Sequence, residues 1–286
     1  MTKWYLPHEL PTDELKMAAG DSVSATPVAD LVRSVATALQ AEPRFAPTRA
    51  SHREPVRKLG PNGLRGTFDA ELERSAGRGF RMLFGGPHED LHGTLDVFPD
   101  TMLDRAPRTH TIDVSVPIAD IDTDGIAAFA AWAMGLFDAL GVFHGFVTTT
   151  NMQAQRKAMI SEAVMRGEMA PPRWDDPLYT TLDRIVSDVY WVNYFGPGYV
   201  ERWGLDRLMA IGVRSVVRPS GAVAIWATEM PLPVDATCLR LADYPFKASF
   251  YEALGRRTFT LESLDLPEPG EVVPTLHDHR QRSILG

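Results

Sequence analysis

Apolar positions along the chain follow two rhythms, one helical and one alternating. Val28, Leu31, Val32, Val35, Ala36 and Leu39 fall at helical spacing. Thr26-Pro27 ahead of them supplies an N-cap and a proline at the first helical position, so the pattern predicts an amphipathic helix over roughly 28–41. The rhythm then stops, and Glu42 to Gly66 carries Pro43, Pro47, Pro55 and Pro61 among several arginines. That stretch reads as a long irregular connection with one short strand near Val56 to Leu59, its local basic character that of a solvated surface. Period two takes over in Gly79–Phe84, Gly93–Phe98 and His110–Val116, the last placing Ile112, Val114 and Val116 on one face. These three runs predict a meander. Asp122 to Asp124 then open a helix through Ile126, Phe129, Ala130, Trp132, Ala133, Leu136, Phe137 and Leu140, Gly141 stops it, and Val142–Thr149 reads as a strand.

Beyond that point Gln153–Met165 is helix-like, and the turn-rich Ala170 to Pro177 is a loop. The second half repeats the alternation: a strand at Val189–Phe195, a short helix from Pro197 to Ile211, strands at Val213–Arg218 and Val223–Thr228, and a helix near Pro245–Leu254. Pro219-Ser220-Gly221 between the last two strands is a tight-turn signal, with Gly221 free to adopt positive φ. Strand runs mixed with packed helices, without a strict βαβ repeat, predict an α+β fold with mixed, mainly antiparallel sheets. Residues 1–25 read as a polar lead and 266–286 as a peripheral tail. Between them, 26–265 would form either one compact domain or two intimately packed halves, 26–165 and 178–265.

Composition narrows the functions open to such a fold. Among 286 residues, 29 Lys and Arg stand against 37 Asp and Glu, a formal charge of -8. That sign is opposite to the one phosphate backbones select, so direct nucleic acid binding is disfavoured and not expected. A basic protein partner is allowed. The single cysteine, Cys238, cannot form an internal disulfide, and the polar opening MTKWYLPHELPTDELK lacks the layout of a secretory leader, so the expected address is the cytoplasm. Ile126 to Val147, the most apolar stretch, is interrupted by Asp138, Gly141 and His144 and does not read as a membrane span.

Candidate chemistry is sparse. His88-Glu89-Asp90-Leu91-His92 matches the H-E-x-x-H pattern of zinc peptidases. That chemistry requires a helix, which alone puts two histidines four apart on one face and leaves the glutamate to activate metal-bound water. Gly85-Gly86-Pro87 before the match and Gly93 after it favour a hairpin loop, so a metal-dependent hydrolase using His88, Glu89 and His92 stands as an alternative. His277 and His279 fall in the tail and are read as exposed. No nucleophile elbow surrounds any serine, Cys238 has no nearby histidine, and no glycine loop matches a phosphate-binding pattern, so no cofactor is expected. The carboxylate pairs Asp122/Asp124, Asp175/Asp176 and Glu71/Glu73 sit where acids complement helix starts or solvate loops.

The aromatic run from Tyr190 to Gly204 is more informative. Alternation over Val189–Phe195 splits its aromatics between two faces, Trp191 and Phe195 are read as core, and Gly196-Pro197-Gly198 would make a sharp strand-to-helix turn. A small-ligand module with an aromatic pocket near Trp191 and Trp226 is a further alternative. The run Asn193-Tyr194-Phe195-Gly196-Pro197, followed by Tyr199-Val200-Glu201 and by Gly204 before Leu205–Leu208, resembles an α+β immunity family of bacterial polymorphic toxin systems. The resemblance spans roughly residues 25–255. It implies a non-catalytic inhibitor of a cognate toxin of the restriction-endonuclease-like class, with the Asn193–Gly198 segment serving folding and no catalytic residue carried over. An acidic inhibitor would be drawn to the basic groove of a nuclease. On that reading the expected toxin-binding residues are Trp174, Asp175 and Asp176 in the loop and Glu201 beside the aromatic turn.

Overall fold

The alternating runs do the architectural work. In the computed structural model, which describes residues 14–21, 26–75, 79–87, 91–97, 110–152, 189–231 and 246–255, nine strands join edge to edge in one antiparallel sheet. The strands are β1 (Glu14–Asp21), β2 (Arg49–Ser51), β3 (Phe80–Gly85), β4 (His92–Val97), β5 (His110–Pro117), β6 (His144–Thr149), β7 (Val192–Phe195), β8 (Arg214–Val217) and β9 (Val223–Trp226). Their spatial order is β2-β3-β4-β5-β1-β6-β7-β9-β8. The expected meander is β3-β4-β5, and the Pro219-Ser220-Gly221 turn joins β8 to β9, with Gly221 at φ 83.

The expected polar lead contains a central strand. Glu14–Asp21 pairs along its whole length with β5 and, on its other edge, with β6. Leu15, Met17 and Ala19 point into the main core, while Ala18 packs on the opposite face. Alanines, a glycine and flanking charge give this strand little intrinsic β preference, and two paired neighbours supply what propensity lacks. Because β6 pairs with β7, strands from both expected halves lie in one continuous sheet and the chain packs as an α+β domain.

Helices cover both faces. On one face lie α1 (Val28–Leu39), α2 (Gly63–Ser75) and α3 (Thr123–Leu140), burying residues such as Val32, Val35, Phe68, Phe129 and Phe137 against the strands. Asp122 caps α3 by accepting from the Gly125 N–H at 2.7 Å, and Gly141 ends it in the left-handed region at φ 68, as the Asp-to-Gly pattern requires. Helix α2 falls where no element was expected. It buries only Leu64 and Phe68, too few apolar contacts to leave a periodic signal. On the other face, at the β6-β7-β9 end, α4 (Pro197–Trp203), α5 (Leu205–Met209) and α6 (Phe246–Leu254) form a second core around Phe195, Tyr199, Leu208, Val223, Ile225 and Phe250. No helix among the described residues is long and apolar enough to cross a membrane.

Candidate interaction surface

The aromatic turn is built from its residues outward. Asn193, fully buried on β7, closes a small ring: its side-chain oxygen accepts from the Tyr190 N–H at 2.9 Å and its amide donates to the Tyr190 carbonyl at 2.8 Å. Phe195 points into the second core, with ring centroids 5.8 Å from Tyr199 and 5.7 Å from Trp203. Tyr199 and Trp203, one turn apart on α4, stack at 4.5 Å and 14°. Gly196 donates to the Phe143 carbonyl at 2.7 Å, and a Cβ there would lie 2.3 Å from the Val142 carbonyl oxygen, so only glycine lets β7 turn this tightly past the preceding strand. Pro197 then starts α4. Nearly all of the motif's side chains are consumed by the fold.

Tyr194, on the opposite face of β7, anchors a polar clasp. Its hydroxyl donates to Asp138 Oδ1 on α3 at 2.8 Å; Ser220 donates to the same oxygen at 2.6 Å; Arg218 donates to Oδ2 through Nε at 2.9 Å and through a terminal nitrogen at 2.6 Å. Burial, reinforced by the Asp138 charge, pushes the Tyr194 hydroxyl well above its ordinary value and keeps it a donor. One carboxylate thereby ties α3 to β7 and to the β8-β9 turn. The sequence signal for this group is Asp138 itself, an acid inside an otherwise apolar helix. Elsewhere in the core His110 is only 1% exposed, and burial lowers its pKa below the usual histidine value.

The residues left facing outward here are the candidates for contact. Glu201 is exposed on α4, which the Tyr199–Trp203 stack holds rigid, and Arg202 lies 5.7 Å from the Trp203 ring. Just beyond it, Leu205 and Met209 on α5 and Val213 and Val217 around β8 are exposed large apolar residues, with Val213 at 53%. Strand β8 is the last in the sheet. Trp191 is core, its indole N–H donating to the Thr228 carbonyl at 3.1 Å, and half-buried Trp226 lies under Arg214 at 4.5 Å. Both aromatics are packed against their neighbours.

The other expected residues are placed plainly. Trp174, Asp175, Asp176, His88, Glu89, Cys238, His277 and His279 lie outside the described residues. His92 is the first residue of β4, exposed, with its Nε2 at 2.8 Å from Ser115 Oγ, and the Gly86 N–H donates to the Leu91 carbonyl. The second histidine of the H-E-x-x-H match is therefore on a strand and not on the helix that zinc peptidase chemistry needs. Among the described residues no cluster of three metal-ligating side chains occurs. Asp122 caps a helix, Asp124 lies in its first turn, and Glu71 accepts from Arg74 at 2.7 Å.

No family model matches the chain, and no curated protein sequence matches it. Its fold is similar to the solved structure of the Pseudomonas aeruginosa T6SS protein PA0821. That likeness covers 96% of this chain and 85% of the other, with a TM-score of 0.57 and 16% sequence identity. At that identity the likeness is one of fold.

Proposed function

We propose that the protein is a non-catalytic, cytoplasmic immunity protein that binds and neutralises a cognate bacterial toxin, a nuclease with a basic groove. The observation that carries this reading is the fold likeness to a T6SS protein over 96% of the chain. Charge supports it: an excess of eight carboxylates favours encounter with a basic active-site groove. The aromatic turn supports it as well, because its buried rings hold α4 as a firm base from which exposed Glu201 can meet a partner without further ordering cost. The binding residues on this reading are Glu201 and the Trp174-Asp175-Asp176 loop.

The test is co-purification of the full chain with catalytically disabled products of adjacent genes. A tight complex, weakened by Glu201→Lys and by the combined Trp174→Ala, Asp175→Lys and Asp176→Lys changes in protein that still folds, is the expected result. Absence of a complex with every neighbour would overturn the reading. A complex indifferent to these changes would move the interface elsewhere on the molecule.

A further inference from the structure

A basic cavity of about 600 Å³ lies at the β2 end of the sheet, between α2 and the loop that follows β2. The loop is folded back on its own strand: the Ala50 N–H donates to the Arg57 carbonyl, the Leu59 N–H donates to the Thr48 carbonyl, and the backbones of Arg49 and Lys58 pair in an isolated antiparallel bridge. It is also tied to α2. Arg74 donates to Glu71 at 2.7 Å and lies 2.8 Å from His52 Nδ1. Both walls are thus fixed without a ligand.

The charge inside this cavity is the reverse of the whole molecule's. Four cations line it, Arg53, Arg57, Lys58 and Arg74, against the two carboxylates Glu54 and Glu71, in a chain of formal charge -8. Arg74 is held by Glu71. The other three side chains are exposed, and none makes an ion pair with a described residue. Gly63 and Gly66, in the first turn of α2, also line the space, and that turn carries no acidic residue, so the positive end of the helix adds to the same field. Ala50, Ala70 and Met82 contribute an apolar lining. Convergent cations on a preformed, partly apolar concavity of this size fit a metabolite-sized ligand.

We propose that this cavity binds a small phosphate-bearing molecule. Arginine's fork matches phosphate oxygens two at a time. The cavity is separate from Glu201, because β2 is at one end of the sheet and β7, which leads into α4, lies toward the other.

Isothermal titration of the full chain with inorganic pyrophosphate tests the proposal. Saturable one-to-one binding is expected, weakened about tenfold or more by Arg57→Ala with Lys58→Ala and by Arg53→Ala, as loss of charge-assisted bonds requires. Arg214→Ala on the far strand should leave it unchanged, and so should Glu201→Lys, which separates failure here from failure of the immunity reading. No binding at about 5 mM pyrophosphate would overturn the proposal, since affinity weaker than that is below the range of a specific site. So would unchanged affinity in the two cavity variants. Citrate binding as tightly as pyrophosphate would overturn the phosphate assignment, and a glutamate-rich peptide binding more tightly would assign the cavity to an acidic protein segment.

Discussion

Asp138 sits at 19% side-chain exposure with four hydrogen bonds arriving from three side chains, two of which, Tyr194 and Ser220, also lie within 3.1 Å of each other. Removing an acceptor from a partly buried network leaves the remaining polar groups desolvated and unpaired, which costs more than the bonds themselves contribute. Asp138→Ala should therefore destabilise the fold by about 2–4 kcal/mol, with Arg218 left without its counter-charge. Tyr194→Phe removes one donor and leaves the carboxylate otherwise satisfied, so about 1 kcal/mol is expected. Urea unfolding of the two variants checks the order. Equal losses would mean that Arg218 and Ser220 find other partners when Asp138 is gone.

At the scale of elements, the turn from β7 into α4 depends on a residue without a side chain. A Cβ at Gly196 would meet a main-chain oxygen at 2.3 Å, which cannot swing aside, whereas one at Gly198 would meet the Phe143 ring edge at 2.8 Å, which can. Gly196→Ala is expected to cost about 3 kcal/mol by displacing α4 from the sheet, and Gly198→Ala distinctly less, as read by thermal unfolding. The same contrast explains what was legible in the sequence. Helix α3 announced itself through an N-capping acid, an apolar stripe and a terminal glycine, and β3, β4 and β5 through period two, because each carries its own burial pattern. Strand β1 did not: its Ala18, Ala19 and Gly20 owe their place to β5 and β6, which are distant in sequence. The 42–66 region shows the same limit. Its arginines read as a solvated surface because nothing local reveals that α2 and β2 fold them around one concavity. Glu201 was legible as a candidate through its neighbours, while the Asp138 clasp joins residues 138, 194, 218 and 220 and becomes visible only when the sheet is assembled.

For the whole molecule, a net charge of -8 accompanies a basic cavity at one end of the sheet, and the immunity reading turns the net charge into an association rate. Two oppositely charged proteins attract before they touch, and the attraction is screened over about 10 Å at 0.1 M salt. On that reading, any contacts of exposed Leu205 and Val213 after docking would be apolar and respond little to salt. Association with a disabled cognate toxin should therefore slow by about tenfold or more as salt rises from low to high ionic strength, with a much smaller change in dissociation. Glu201→Lys should reduce the association rate and flatten its salt dependence, because it replaces an attraction at the docking end with a repulsion. Stopped-flow mixing across a salt series measures both. A salt-independent association rate with an intact complex would mean that the partner meets this protein through its apolar sheet end alone, and that the carboxylates serve solubility and not capture.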